Sequence, residues 1–251
     1  RGTNGVLLVT TRRESGDYKS SVEYAGFASS QSSARKLNVS TADDYRQQSA
    51  DGYRDENSDL GASTDWLDEI SRNPVSHIHN LTFRGGSPKT NYLLNINYNA
   101  AEGMFLNSFN KALMGRADIN HNMLDDKLKL NFNILGSTRR LNGFNNNNSN
   151  GFDFNGFNGY NYRQTIIQNP TAPLRDENGN WFQEIDKFEY ENPVSNLRES
   201  NGLSLEHLTR FNNTITFEPV EGLRLISLLS YSKWDQNGGY SETKQHISTL
   251  R

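Results

Sequence analysis

The sequence predicts an all-β protein whose antiparallel strands form part of a large transmembrane β-barrel. Three observations predict this fold. Several segments alternate between apolar and polar residues, which is the period of a strand with two different faces. Tight turns and long loops follow each other in a regular order along the chain. No apolar run approaches the roughly 20 residues of a transmembrane helix, whereas barrel strands expose only alternate residues to lipid.

The composition excludes several classes of protein. The chain has 251 residues, no cysteine and a net charge of -3. Without cysteine it has neither disulfides nor thiolate metal sites. A weakly negative chain does not attract nucleic acid, so we expect no nucleic-acid partner. Phosphate-loop, nucleophile-elbow and zinc-hydrolase motifs are missing from the sequence, and we therefore expect no cofactor and no catalytic residue.

The first elements are two strands and a long loop. Residues 6–11 are almost all apolar, which suits a buried strand, and residues 20–30 alternate as a second strand does. Residues 31–75 then form a long loop with two short helices. The first helix follows a capping-box variant at Ser40–Asp43, and the second has its apolar residues at helical spacing around Trp66.

The alternation is clearest in a predicted hairpin of residues 77–84 and 90–100, joined by a turn at Gly85-Gly86. From Tyr92 to Ala100 the even positions are apolar, and the odd positions from 95 to 99 are asparagine. One face of this ribbon is therefore apolar and the other is lined by amides. The same pattern predicts further strands at about 108–121, 127–138, 204–217 and 223–234.

The second long loop is predicted at 139–203. Its first part is a low-complexity stretch of asparagine, glycine and regularly spaced aromatic residues. Such a composition predicts a segment that cannot bury a hydrophobic core of its own.

Loop length alternates along the predicted sheet. The connections at 31–75, 101–107 and 139–203 are the larger ones, and those at 85–89, 122–126 and 218–222 are short. In a meander, successive connections lie at opposite ends of the sheet, so all tight turns are expected at one end. Short turns at one end and long loops at the other are typical of outer-membrane barrels. A soluble sandwich gives no reason for this sorting.

Seven motifs stand in order along nearly the whole chain. They are RGTNGVLLVTT (1–11), DWLDEI (65–70), HNLTFRGGSPKTNY (79–92), EG (102–103), RADIN (116–120), ENPV (191–194) and PVEGLRL (219–225). In sequence and in order they resemble the SusC/RagA-type TonB-dependent transporters, and only the segment 139–170 has no counterpart in that family.

The resemblance implies a fragment of an outer-membrane barrel of about 22 strands with a plug domain inside. Residues 1–13 then correspond to the last plug strand. Residues 14–251 correspond to the N-terminal portion of the barrel, with about seven strands and long extracellular loops. The parent protein would import glycans or peptides across the cell outer membrane. Its expected partners are a SusD-like lipoprotein, TonB through the missing N-terminal part, an oligosaccharide or peptide substrate, and the lipid bilayer.

Two sets of residues are candidates for contact. Aromatic side chains of the second long loop offer large, rigid surfaces to a substrate or a partner protein, or else pin that loop to its neighbours. They are Phe144, Phe152, Phe154, Phe157, Tyr160, Tyr162 and Trp181. Polar side chains of the strands are predicted to line the lumen or meet the plug, because lipid would leave them unpaired. They are Asn95, Asn97, Asn99, Asn131, Asn133, Arg116 and Asp118.

Other patterns favour structural roles. His77 and His79 share a strand face but lack a third ligand nearby, so we predict no metal site. Asp65 and Glu69 lie one helical turn apart, which the helix dipole explains without catalysis. Two alternatives to the transporter remain open. One is a soluble β-sandwich or β-solenoid that binds glycans, and the other is a polysaccharide-degrading enzyme, for which no carboxylate pair is identifiable.

Overall fold

The computed structural model describes residues 18–142, 157–187 and 189–251. Seven antiparallel strands form one sheet there, and each strand pairs with the next one along the chain. The strands are β1 (Tyr18–Ser30), β2 (Val75–Gly86), β3 (Thr90–Glu102), β4 (Phe109–Met123), β5 (Leu128–Asn142), β6 (Ser200–Val220) and β7 (Leu223–Glu242). The prediction of an all-β antiparallel fold is confirmed. The predicted plug strand at 1–13 lies outside the described residues.

The helices lie in the long connections and at the C-terminal end. They are α1 (Ala42–Ala50), α2 (Trp66–Ile70), α3 (Phe157–Ile167), α4 (Pro193–Glu199) and α5 (Ile247–Leu250), with a 3-10 helix at Glu56–Ser58. The predicted loops carrying short helices are therefore present, and the sequence did not predict α3 or α4. No helix in the described ranges combines the length and apolar composition that a membrane-spanning helix needs.

The two faces of the sheet differ as the alternation predicts. Across the central ladders Leu94 of β3 pairs with Phe83 of β2 and with Ala117 of β4, which in turn pairs with Ile134 of β5. Paired residues point to the same side of a sheet, so these apolar side chains form one continuous face. We call it the apolar face. Its members Leu94, Ile96, Leu113 and Ile134 are exposed.

The opposite, polar face carries a chain of hydrogen bonds across neighbouring strands. Arg116 Nε lies 2.6 Å from Asp118 Oδ2, and Asn133 donates to the same carboxylate. Asn133 accepts from Asn212, which accepts from Ser230 Oγ at 2.6 Å. These contacts link side chains of four strands, so the polar face is ordered without a core beneath it.

Connection length sorts to the two ends of the sheet as predicted. The turns at 87–89, 124–127 and 221–222 lie at one end, and the loops 31–74 and 103–108 and the described part of the connection between β5 and β6 lie at the other. In the turn after β4, residues 124–126 all have positive φ, and Gly222 does so after β6. Two of the three residues at 124–126 are aspartate, whose short side chain tolerates this conformation.

The low-complexity start of the second long loop lies largely outside the described residues, and its lack of a core of its own stays a prediction. Two predictions about the loops and strand ends need correction. The capping box of α1 joins Thr41 to Asp44, one residue later than predicted, and Tyr45 of this helix is buried. Finally, β6 and β7 run to 21 and 20 residues, well beyond the alternating segments. Their ladder remains paired where the alternation ends.

The buried core lies in the loops and not beneath the sheet. Trp66 and Ile70 of α2 pack with Val194 and Leu197 of α4, and each is at most 3% exposed. Ala172 and Trp181 complete the cluster. The wide-loop end is therefore a small packed layer of its own, and it holds the two longest connections together.

Candidate functional site

A groove of about 990 Å³ lies between the two long loops. We call it the loop groove. One wall is formed by residues 36–45 and 63–67 of the first loop, and the other by residues 165–170 of the second. The side chains of Glu184, Lys187 and Tyr190 close one side. A cleft of this size can hold a small ligand or part of a chain-like one.

Backbone hydrogen bonds hold the two walls in register. Ala62 N donates to Thr171 O at 2.8 Å, and Thr64 N donates to Pro170 O at 2.9 Å. Trp66 Nε1 donates to Asn169 O at 2.9 Å, so the ring that enters the core also fastens the second loop. These bonds join residues more than 100 positions apart, and the groove depends on them.

Aromatic and charged groups line the loop groove together. The guanidinium of Arg54 lies 4.3 Å from the ring centroid of Tyr45, which orients both side chains. Lys187 Nζ lies 2.5 Å from a carboxylate oxygen of Glu184, and this hydrogen bond raises the pKa of Lys187. The groove therefore presents aromatic rings and charges of both signs, which suits a polar ligand with some apolar surface.

Gln168 has unmet hydrogen-bonding capacity beside the groove. It follows α3 directly, lies in the groove wall and is 4% exposed. Neither its amide nitrogen nor its amide oxygen has a hydrogen-bond partner. Gln164, one turn earlier, donates to Glu189 O and accepts from Glu191 N. Buried amides are normally satisfied, so the unsatisfied one marks this wall as unusual.

Two pairs of side chains singled out in the sequence can now be placed in the structure. Asp65 caps α2 by accepting from Asp68 N at 3.0 Å, which agrees with the structural interpretation of the Asp65 and Glu69 pair. His77 and His79 do share a face, and His77 Nδ1 lies 3.1 Å from His79 Nε2. Within the described ranges, no three side chains converge as metal ligands do.

The predicted loop aromatics are placed in the packing of the loops where they are described. Trp181 is 7% exposed and donates to Glu199 Oε1 at 2.6 Å, with Arg175 stacked on its ring at 3.7 Å. Tyr162 packs against Phe105. Burial, followed by the hydrogen bond with Glu191, raises the pKa of Tyr160 to about 12.

None of these three aromatic residues lines the loop groove. Phe144, Phe152 and Phe154 and the side chain of Phe157 lie outside the described residues. Contact of the whole set with a substrate or partner stays a prediction. The aromatic residues that do line the groove are Tyr45, Trp66 and Tyr190. The sequence placed Trp66 only in a helix and gave no signal for the other two.

The seven polar residues predicted to line the lumen or meet the plug all lie on the polar face. The ladders place Asn95 opposite Arg116, Asp118 opposite Asn133 and Asn131 opposite Asn120. Asn97 and Asn99 share the face by their spacing from Asn95. Asn95 also donates to Thr82 Oγ1 at 2.8 Å. What this face contacts in the parent protein stays a prediction.

Two curated proteins have sequences similar to this chain, and no protein-family model matches it. TonB-dependent receptor SusC of Bacteroides thetaiotaomicron is 30% identical over 135 residues, which is 53% of this chain. TonB-dependent receptor P3 of Formosa agariphila is 28% identical over 148 residues, or 57% of this chain. Each alignment spans 14% of the relative. Both relatives are named as receptors and neither as an enzyme.

Solved structures of the RagAB peptide transporter have the same fold. One aligns with 88% of this chain at a TM-score of 0.63 and 16% identity. The open-open state of the RagAB peptide importer aligns with 90% at a TM-score of 0.64 and 15% identity. The chain covers 29% of each of these structures. Together with the sequence relatives, they confirm the resemblance indicated by the motifs.

Proposed function

This chain is a relative of the SusC/RagA-type TonB-dependent receptors, and we propose that it forms one wall of an outer-membrane importer. In this proposal residues 14–251 are the N-terminal portion of a barrel of about 22 strands, and residues 1–13 are the last plug strand. The chain performs no chemical step. The closed barrel would carry the substrate across the cell outer membrane.

The observation that carries the proposal is the coincidence of two asymmetries in one sheet. One face is apolar and exposed, and the other is a hydrogen-bonded polar network. Long loops lie at one end and tight turns at the other. A barrel wall needs both, since lipid and water lie on its two sides and the cell exterior and periplasm at its two ends.

We assign substrate contact to the loop groove. A peptide or an oligosaccharide presents many hydrogen-bonding groups along an extended chain, and the groove offers aromatic rings, both charges and the Gln168 wall. RagAB is named as a peptide transporter, which supports a peptide substrate, and an oligosaccharide is the alternative. A SusD-like lipoprotein would cover the wide-loop end above the groove. TonB would act through a segment outside this chain.

The proposal is tested by fractionating the intact parent protein. We expect it in the outer membrane and expect extraction only with detergent. Substrate is tested by binding matched panels of peptides and oligosaccharides to the parent complex, with Tyr190→Ala as the groove variant. A parent that is soluble without detergent would overturn the barrel and favour a soluble glycan-binding protein. An unchanged affinity in Tyr190→Ala would remove the groove from the substrate site.

A further inference from the structure

Two cationic side chains face each other on the apolar face at its wide-loop end. Lys111 of β4 and Arg140 of β5 are direct partners in the ladder. Both lie over the ring of Phe109, with Lys111 Nζ at 5.5 Å and the Arg140 guanidinium at 5.9 Å from its centroid. Like charges placed opposite each other on neighbouring strands repel, so this pair is unfavourable unless an anion lies between them.

Among the residues that the structure describes, neither cation has a carboxylate partner within 4.0 Å. Glu102 lies diagonally across the ladder, but Arg72 holds its carboxylate at 3.5 Å. Arg139, adjacent in sequence but on the polar face, does form an ion pair with Glu206 at 3.4 Å. In the described part of the chain, Arg139 therefore has a balancing carboxylate on the polar face, whereas Lys111 and Arg140 have none on the apolar face.

The surroundings of the pair select an anion with an apolar tail. Leu113 follows Lys111 on the same face and is 52% exposed, and Ile134 and Ile96 extend this apolar surface toward the tight turns. On the neighbouring ladder pair Thr138 Oγ1 and His207 Nδ1 lie 3.1 Å apart and add polar groups beside Arg140. The guanidinium of arginine can donate two parallel hydrogen bonds to phosphate oxygens, and the ammonium of lysine adds a second positive charge.

We propose that Lys111 and Arg140 bind the phosphate of an outer-leaflet lipid headgroup, with the acyl chains lying along the apolar face. Phe109 supports both cations from the loop side. The bound phosphate removes the repulsion between the two cations, because its charge interacts with both. This inference rests on the proposed function, since it requires the apolar face to meet lipid.

The test uses the intact parent protein in detergent, incubated with phosphorylated lipid A or with the same lipid A after enzymatic dephosphorylation. Bound lipid is counted by native mass spectrometry. We expect the parent to retain the phosphorylated form at least about tenfold better than the variant Lys111→Gln/Arg140→Gln, because the variant loses two charge-assisted contacts. Lys233→Gln is the matched control, because Lys233 lies on the same face but pairs with Asp235 at 3.1 Å.

Three outcomes would overturn the site: equal retention by the double variant, an equal loss in Lys233→Gln, and equal retention of dephosphorylated lipid A. Displacement by millimolar inorganic phosphate would indicate a free-anion site and would also count against it. If the double variant fails to reach the membrane, Lys111→Gln and Arg140→Lys are compared, and arginine-to-lysine exchange is expected to retain part of the binding. A parent that needs no detergent refutes the proposed function, whereas an inserted parent with unchanged lipid retention refutes only this site.

Discussion

Two adjacent residues of β3 test which face of the sheet meets lipid. Ile96 lies on the apolar face and is 48% exposed, whereas Asn97 lies on the polar face. We expect Ile96→Lys to destabilise the inserted parent by about 2–4 kcal/mol, the cost of lysine near the bilayer midplane. Asn97→Lys should destabilise the inserted parent much less, because the new side chain would contact water or polar groups. The fraction of heat-modifiable barrel in the outer membrane measures both, and equal losses would contradict the face assignment.

Gln168 lies in the groove wall, and Gln164, one helical turn earlier, is a matched control outside it. Removing the unsatisfied amide in Gln168→Met should raise stability by on the order of 1 kcal/mol, because an unpaired buried amide is costly. The same change should weaken substrate binding if the groove holds the ligand. Gln164→Met should instead lower stability by about 1–3 kcal/mol, because two backbone groups lose their partner. Urea unfolding of the parent measures the stability change in both variants. A change of the same sign in Gln168→Met and Gln164→Met would contradict the assignment of Gln168 as the unsatisfied amide.

At the scale of single residues, the sequence predicted which face of a strand a side chain occupies, but not which distant side chains it contacts. The two faces of β3 followed from its strict alternation, because the strand geometry alone fixes which side chains share a side. The groove did not follow, because Tyr45, Trp66 and Gln168 meet only when two distant loops pair. No local pattern records that pairing. The α1 capping box was displaced by one residue because Ser40 and Thr41 both suit the cap position.

Among the elements, α4 connects the loop core to the sheet through its last residue. Glu199 accepts from Thr243 Oγ1 at 2.5 Å and from Trp181 Nε1 at 2.6 Å. These two hydrogen bonds, the one from Thr243 first, hold the pKa of Glu199 below its ordinary value of 4.5. A lowered pKa in the folded state means stability that is present above pH 4.5 and lost as pH falls further.

We therefore expect the loop core to loosen below about pH 4.5. The emission of Trp181, obtained as the difference between the parent and Trp181→Phe, should then shift toward the red as the ring becomes wetter. Glu199→Gln removes the titrating group, so its difference spectrum should show no such step. A step of the same size in Glu199→Gln would assign the transition to another carboxylate.

The elements also show where sequence patterns stop being informative. Each of the seven strands was predicted, but β7 continues to Glu242 through residues without alternation. Its hydrogen bonds to β6 persist there although the two sides of the sheet no longer differ in polarity. The helices α3 and α4 were missed because their burial comes from other loops and not from an amphipathic pattern facing the sheet.

At the scale of the whole molecule, the chain is a sheet with a separate packed layer at one end. The central ladders do not cover a hydrophobic core, and both faces carry partly exposed side chains along much of their length. The loop core has its own buried residues and its own backbone pairing. Binding surfaces can therefore vary in the loops while the register of the wall stays constant.

The register of the sheet also indicates how steeply the strands are inclined. The apolar segment of β3, Tyr92–Tyr98, lies level through the ladders with residues 207–213 of β6. On the same face of β6, Phe211, Ile215 and Phe217 form an apolar group that ends four positions closer to the tight turns. Four residues at about 3.4 Å over three strand spacings of about 4.8 Å correspond to a slant of roughly 43°.

A bilayer keeps its apolar slab level, so the slant must be taken up by the strands. The inclination of roughly 43° agrees with the 35–45° found for barrel strands. Polarised infrared spectra of the parent in oriented bilayers should give a mean strand angle in this range. A mean strand angle near zero would show that the shift of the apolar residues from β3 to β6 is unrelated to the membrane plane. In the proposed barrel, the staggered apolar band would set the inclination of the strands to the membrane, and with it the tilt of the loop layer at the wide-loop end.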